Sequence, residues 1–198
     1  MRRLALAALC ACVPPPQPQP PAAPAAEAAP AAAAAPAAEA APAAEAAPAA
    51  AAAPASLAAR FVAAHNAARA KHCAAPLAWS PELAAFAQRW ADSLRAHGCA
   101  FGHSNGQYGE NLAAGTIGVL DPEATVAMWY DEIHRYRFPD GGFSMETGHF
   151  TQLAWRATTR VGCGHSQCNG NDIWVCEYDP PGNVDGEYRA NVLPLGCH

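Results

Sequence analysis

The chain has 198 residues, with 12 Lys and Arg against 17 Asp and Glu and a formal net charge of −5 at pH 7. This acidic balance, without any basic stretch, argues against nucleic acid as a partner. Hydrophobic residues make up 52% of the chain. Alanine and proline dominate its first quarter, however, so only the remainder is expected to bury a core.

The first twelve residues, MRRLALAALCAC, have the features of an export signal. Arg2 and Arg3 precede an apolar run that is too short to span a bilayer. The tetrapeptide LCAC at 9–12 resembles a bacterial lipobox, with an aliphatic residue at −3, a small residue at −1 and cysteine at the cleavage point. We therefore expect Cys12 to become a lipidated N-terminus that anchors the protein to a membrane, with plain secretion as the alternative.

Residues 13–55 are predicted to form a disordered Ala/Pro-rich tether. Twelve of the 19 prolines lie between Pro14 and Pro54, and from Pro24 onward a proline recurs at every sixth residue. Proline at this spacing interrupts any helix that the alanines favour. In polyproline II form the segment would reach roughly 100 Å, and no role beyond reach is expected for it.

Residues 56–198 are predicted to form one domain, because this length is sufficient for a single hydrophobic core. An even number of cysteines in an exported chain indicates disulfides, although spacing alone does not assign the pairs. A zinc–thiolate site is the alternative, but the domain has no C-x-x-C pair to favour it. The six cysteines of the domain are Cys73, Cys99, Cys163, Cys168, Cys176 and Cys197.

Four helices are predicted along the domain. Apolar residues at helical spacing indicate a first helix over residues 57–71. The tripeptide SPE at 80–82 combines a capping serine, a first-turn proline and an acid, so it predicts a second helix, which Gly98 ends. The tripeptide DPE at 121–123 predicts a third helix in the same way, and a shorter helix is expected to begin near Thr147.

Two strands follow the helices in the sequence. Residues 159–165 and 172–178 have strand patterns, and residues 166–171 are predicted to be the hairpin turn between them. Helices first and strands late indicate an α+β fold with helices packed on an antiparallel sheet.

Several polar residues are candidates for chemistry. Glu132 lies three residues after Trp129, so it shares the same helix face and is expected to lean toward the core. His149 is expected to point inward in the same way on the shorter helix. Because a buried charge is costly unless it is paired, the two side chains could satisfy each other. His103, and Glu110 in a glycine-bordered loop, could join them.

Two histidines and two glutamates allow three interpretations. They could form a divalent metal site, since imidazole and carboxylate suit zinc among other cations. They could instead form a general acid–base pair. They could also be a hydrogen-bonded cluster that ties loops together. Neither HExxH nor GxSxG occurs in the chain, and no serine lies in a motif that marks a nucleophile.

Four motifs together resemble a known family. GHFTQLAWRAT at 148–158 and IWVCEYDPPGNVDG at 173–186 resemble the two long signatures of the CAP superfamily, which joins cysteine-rich secretory proteins, antigen 5 and plant pathogenesis-related protein 1. HNAAR at 65–69 and GENL at 109–112 resemble two shorter motifs, and the likeness extends over residues 57–195. We expect a bacterial secreted or lipid-anchored member of this family.

The resemblance implies a fold and a site. The fold would be an α-β-α sandwich, with a three-stranded antiparallel sheet between helical layers. The site would be a central cavity lined by two histidines and two glutamates, which by motif are His103, Glu110, Glu132 and His149. Divalent metals, zinc especially, occupy this cavity in some members, whereas others need none. A metal here would be held by His103 and His149, with the two glutamates nearby.

The resemblance also implies part of the disulfide pattern. Plant-like members pair the cysteines that correspond to Cys99–Cys168 and Cys163–Cys176. Cys73 and Cys197 remain, and we expect them to pair although this bridge is not in the family pattern. Glu177 is another departure, because plant members usually have asparagine there, and we do not expect the C-terminal processing known in those members.

Three functions are compatible with these residues. The favoured one is a non-enzymatic extracellular binding or effector module. A metal-dependent hydrolase would need a metal-bound water with Glu110 or Glu132 as base. A sterol- or fatty-acid-binding protein would use an aromatic loop, for which Tyr136, Phe138 and Phe143 are the candidates.

Location and assembly are expected from the same features. The domain would lie in an oxidising extracytoplasmic space, either secreted or held at the cell envelope through Cys12. We expect a monomer, with lipid or sterol as a candidate partner and no nucleic acid.

Overall fold

The computed structural model describes residues 55–197, and the predictions made for residues 1–54, including lipidation of Cys12, lie outside that range. The helices are α1 Leu57–Ala70, α2 Pro81–Ala96, α3 Pro122–Asp131, α4 Gly148–Ala154 and α5 Tyr188–Asn191. The strands are β1 Ala78–Trp79, β2 Gly109–Thr116, β3 Arg160–Cys168 and β4 Asn171–Asp179. Short 3-10 helices lie at Glu132–Arg135 and Leu195–Cys197. None of the described helices is long and apolar enough to cross a membrane.

The first three helices begin at the residues that the sequence predicts. The hydroxyl of Ser56 accepts a hydrogen bond from the third residue of its helix, as does that of Ser80. The carboxylate of Asp121 accepts the N–H of Ala124 at 2.8 Å. Each cap satisfies a first-turn donor that has no partner within the helix, so local chemistry fixes these helix starts.

The sheet has four strands in the order β1-β3-β4-β2. Strands β3 and β4 are antiparallel, as are β4 and β2, whereas β1 pairs in parallel with β3. The expected three-stranded antiparallel sheet is therefore present, and the two-residue β1 makes the whole sheet mixed. The central strand β4 is buried along most of its length.

Two predictions about the strands are wrong in detail. Glu110 was expected in a loop, but it lies on β2, whose sequence GENLAAGT has too many small residues to show a strand pattern. The hairpin turn was expected over 166–171, but β3 and β4 pair up to Cys168 and Asn171. Only residues 169–170 turn, and both have positive φ.

Helices cover both faces of the sheet, which gives the α-β-α sandwich. On one face, α2 packs its buried alanines and Leu94 against Leu112, Ile173 and Val175. On the other face, α1, α3 and α4 form a second core. Successive residues of a strand point to opposite faces, so β2 and β4 contribute their alternate residues to this core, such as Ala113 and Trp174. Helix α2 lies so close to β3 that a Cβ on Gly162 would come within 2.2 Å of a helix backbone nitrogen.

Three disulfides connect the domain, and they are the pairs expected from the sequence: Cys73–Cys197, Cys99–Cys168 and Cys163–Cys176. All six cysteines of residues 55–197 are therefore oxidised, which rules out the zinc–thiolate alternative there. The first bridge ties the end of α1 to the C-terminal segment, and the second ties the end of α2 to the end of β3.

Candidate functional site

Glu110 and His103 form one half of the site. Glu110 lies at the start of β2, and its Oε1 is 2.6 Å from Nδ1 of His103. The same carboxylate accepts the backbone N–H of Ser104 at 3.0 Å. The Glu110 side chain is only 6% exposed, whereas that of His103 is 52% exposed. The carboxylate is thus a buried support for an imidazole that faces solvent.

Glu132 and His149 form the other half. Glu132 follows the last residue of α3, and its Oε1 is 2.7 Å from Nδ1 of His149. Its Oε2 accepts the backbone N–H groups of His149 and Phe150, both at 3.0 Å. The His149 ring also stacks on Trp129, with ring centroids 6.2 Å apart and planes inclined by 15°. The imidazole is therefore held both in its plane and at its face.

Both imidazoles have the same tautomer. A carboxylate oxygen is an acceptor, so the Nδ1 atom of each ring is the one that donates. In the neutral ring, Nε2 then keeps a lone pair directed away from the supporting glutamate. Two rings prepared in this way can each bind a cation or accept a proton at Nε2.

His103 and His149 border one cavity of about 70 Å³ at the beginning of the edge strand β2. Asn111 and Asn183 lie in its wall, and both are fixed by α4: Asn111 donates to the carbonyl of His149, and Asn183 to that of Gly148. Two largely exposed apolar residues complete the lining, Phe143 at 58% and Met145 at 79% exposure. The cavity thus has polar walls and an apolar rim.

The pKa values of Glu110 and His103 are both shifted from their ordinary values. Burial alone would raise the pKa of Glu110, but hydrogen bonds from His103, Ser104 and Glu177 outweigh it, and the net pKa is lowered. The hydrogen bond to Glu110 raises the pKa of His103, against a smaller opposing effect of burial. Glu110 is therefore an ionised acceptor near neutral pH, and its charge favours the imidazolium form of His103.

The four residues chosen from the sequence are present as two hydrogen-bonded pairs. Glu132 sits behind His149 and is absent from the cavity lining. His134, two residues after Glu132, is exposed and contacts Asp131 outside the cavity. Asn111 and Asn183 lie within the GENL and PPGN motifs, but the sequence does not predict that their side chains line the cavity. Gln152 of the GHFTQ motif is buried and accepts the N–H of Gly182 at 2.8 Å, so it ties α4 to the following loop.

The donor set fits a cation only in part. Imidazoles that give Nδ1–H to a carboxylate have the arrangement common among metal-bound histidines. Within residues 55–197, however, no group of three or more His, Cys, Asp or Glu side chains is arranged to hold a metal ion. A cation at this cavity would therefore have two imidazole ligands, and its other coordination positions would be filled from outside the protein.

Fold and site together define an α-β-α sandwich with a histidine–glutamate cavity at the edge of its sheet. Residues 62–178 match the family model of CAP, the cysteine-rich secretory protein family, and the chain belongs to that family.

Two relatives show the breadth of the family. Protein PRY2 of Saccharomyces cerevisiae is 46% identical over 136 residues, which cover 66% of this chain and 39% of PRY2. Pathogenesis-related protein 1A of Nicotiana tabacum is 44% identical over 130 residues, covering 64% of this chain and 77% of the tobacco protein. The chain thus spans well under half the length of the yeast relative.

Two solved structures share the fold. The hookworm platelet inhibitor superposes with a TM-score of 0.58 at 21% identity, over 70% of this chain and 76% of the inhibitor. The crystal structure of NaASP2 with Zn²⁺ superposes with a TM-score of 0.54 at 24% identity, over 69% of this chain and 84% of NaASP2. At such identities the likeness establishes the architecture alone.

Proposed function

We propose that the domain is a non-enzymatic extracellular binding module whose cavity holds a divalent cation such as zinc. Nε2 of His103 and Nε2 of His149 would be its protein ligands. The proposal depends on one feature that the two rings share. Each donates Nδ1–H to a glutamate carboxylate beside the same cavity, so each has Nε2 available as a ligand. A bound cation would supply a Lewis-acidic centre for an anionic or carbonyl group of a partner molecule.

Several further observations support this proposal. NaASP2, which has the same fold, was crystallised with Zn²⁺. Two protein ligands leave coordination positions open, as recognition of an external group requires. Three disulfides and the secretory description of the family agree with an oxidising extracytoplasmic compartment. Whether the protein is secreted freely or anchored through Cys12, and whether it is a monomer, remain predictions from the sequence.

Binding is favoured over hydrolysis because of what the glutamates already do. Glu110 accepts hydrogen bonds from His103 and Ser104, and its pKa is lowered overall, which makes it a weak base. Glu132 accepts three hydrogen bonds through its two oxygens. All cysteines of the described region are in disulfides, so it offers no thiol nucleophile. A hydrolase should lose peptide-cleaving activity in Glu110→Gln while keeping its fold, and activity that survives the change would count against that role.

Thermal unfolding with and without zinc tests the cation proposal. Zinc should raise the melting temperature of the wild type, because a ligand that binds only the folded state stabilises it. The shift should vanish when His103→Ala and His149→Ala are combined. His134→Ala is the matched control, since this histidine is exposed and hydrogen-bonded to Asp131 outside the cavity. A wild type whose melting temperature does not respond to zinc would remove the cation proposal.

An apolar ligand is the second candidate, and the cavity rim favours it. Phe143 and Met145 are exposed beside the polar walls, where they could hold the apolar body of a sterol or fatty acid. Extraction of a labelled sterol from vesicles should then fail in Phe143→Ser. Phe101→Ser is the control, because Phe101 is a similarly exposed phenylalanine that does not line this cavity. Equal extraction by both variants would contradict sterol binding at the rim.

A further inference from the structure

Glu177 is a buried acid that lies directly behind the His103 half of the site. It lies on β4, opposite Glu110 on β2 and opposite Gly162 on β3. Cross-strand partners in an antiparallel sheet share a face, and their Cβ atoms are about 5 Å apart. A hydrogen bond between the carboxyl groups of Glu177 and Glu110 contributes to the shifted pKa of each.

The surroundings of Glu177 contain no counter-charge. The residue is 1% exposed, and its Oε1 has no hydrogen-bond partner. The start of α2 covers this part of the sheet, because a Cβ on the facing glycine of β3 would meet backbone atoms of Ser80 and Ala84. Its partner on β3 is a glycine, and none of the ion pairs formed by residues 55–197 includes Glu177. The charged group that faces it is another carboxylate, that of Glu110.

Two facing carboxylates cannot both stay ionised in a buried site when one of them has no cationic partner. Glu110 is the one that must be ionised, because it accepts from the imidazole of His103 and from the N–H of Ser104. The proton therefore belongs on Glu177, whose O–H then has an acceptor in Glu110.

We infer that Glu177 is a positioning residue: it stays protonated, donates an O–H hydrogen bond to Glu110, and thereby fixes the carboxylate that orients His103. The perturbed titration of Glu177 agrees, since burial and the adjacent Glu110 raise its pKa to about 9.

Comparison of the two halves of the site supports this role. Glu132 receives three donors, namely Nδ1 of His149 and the backbone N–H groups of His149 and Phe150. Glu110 receives only two from imidazole and backbone, from His103 and Ser104. The protonated carboxyl of Glu177 supplies a further donor to Glu110, in addition to those of His103 and Ser104.

The inference rests on the proposed function only for what His103 binds, because the hydrogen-bond chain itself requires no cation. It is therefore tested on metal-free protein. Infrared spectroscopy at neutral pH should show the C=O stretch of a protonated carboxylic acid, and Glu177→Gln should remove that band. Glu146→Gln is the control, since Glu146 is exposed and its substitution should leave the band unchanged.

The effect on His103 needs a second readout. When the His103 ring is neutral, its nitrogen-15 NMR signals should show Nδ1–H with unprotonated Nε2 in the wild type and in Glu177→Gln, whose amide still donates to Glu110. Glu177→Leu removes the donor, so the His103 ring should populate both tautomers and zinc affinity should fall by about 10-fold or more. If Glu177→Leu does not fold, the infrared comparison of the wild type with Glu177→Gln still shows whether Glu177 is protonated.

Two results overturn the inference: the absence of a protonated carboxyl band, or a band that Glu177→Gln leaves in place. Unchanged His103 ring signals in a folded Glu177→Leu protein would overturn the positioning role. Failure of zinc to bind the wild type would alter neither spectrum, so the proposed function and this inference can fail separately.

Discussion

Glu132 holds His149 at two points: through Nδ1 of the ring at 2.7 Å and through the backbone N–H at 3.0 Å. The second contact, together with that to Phe150, places a carboxylate on the first-turn donors of α4. Thr147, the residue at the N-cap position, makes no capping hydrogen bond with its side chain. A glutamate from the end of α3 therefore caps the helix that carries His149, and the same group orients the imidazole.

Replacement of Glu132 should consequently lower stability as well as disturb the site. Glu132→Ala leaves two N–H groups and an imidazole without their acceptor, and we expect a loss of about 1–3 kcal/mol in the free energy of unfolding. Glu132→Gln retains one acceptor oxygen and should lose less. Urea unfolding measures both, with the exposed neighbour substitution Asp131→Ala as control. A Glu132→Ala protein as stable as Asp131→Ala would contradict the capping role.

Glu177 should make stability depend on pH in an unusual direction. Its pKa in the folded protein is raised to about 9, by burial and then by Glu110. An acid with a raised folded pKa contributes stability that is complete below its unfolded pKa and is lost as pH rises through the folded value. The wild type should therefore lose stability relative to Glu177→Gln between about pH 5 and about pH 9, by at most about 1.4 kcal/mol per pH unit.

Urea unfolding of the two proteins across that range provides the measurement. The difference between them isolates the glutamate, because most other titrating groups are common to both. A difference that stays flat over this pH range, or that moves in the opposite direction, would show that Glu177 is ionised in the folded protein.

The features that the sequence predicted are those with local causes. Helix starts at Ser80 and Asp121 depend on residues within one turn, and the structure has both caps. The pairing of His149 with Glu132 could be suspected because each shares a helix face with apolar neighbours. His103 and Glu110 were further candidates, and the family motifs then assigned them to the same site, which spacing alone did not do.

The features that were missed depend on partners distant in sequence. Strand β2 is recognisable only from its register with β4, since its small residues have no strand signature. That register also puts Glu110 opposite Glu177, 67 positions later in the chain. Asn183 becomes a wall residue because its loop contacts the carbonyl of Gly148. No periodicity along the sequence encodes such contacts.

The three disulfides should differ in their contribution to stability. Cys73 and Cys197 are separated by 124 positions, whereas Cys163 and Cys176 are separated by 13. In the chain-entropy model the longer closure is worth about 5 kcal/mol and the shorter about 3 kcal/mol. Replacing Cys73 and Cys197 by serine should therefore lower the melting temperature more than replacing Cys163 and Cys176 by alanine. Calorimetry of the two double variants checks this order, and the reverse order would show that packing outweighs chain entropy here.

Arg69 supports the helix of His149 from beneath. Arg69 belongs to α1 and is fully buried. Its guanidinium group donates to four backbone carbonyls, those of Ala75, Leu153, Trp155 and Thr158. Burial lowers its pKa to about 10, so it stays charged at neutral pH. Two of these carbonyls, on Leu153 and Trp155, lie at the end of α4, where a positive charge favours the helix dipole.

Arg69→Met should destabilise the domain by at least about 3 kcal/mol, because each buried carbonyl left without a donor costs about 1–3 kcal/mol. Arg69→Lys should recover only part of the loss, since an ammonium cannot reproduce the planar fork of donors. Arg89→Met, at an exposed position of α2, is the matched control and should change stability little. Urea unfolding gives the stabilities, and amide exchange in α4 should accelerate in both Arg69 variants. A loss below about 1 kcal/mol in Arg69→Met would mean that water replaces the guanidinium at these carbonyls.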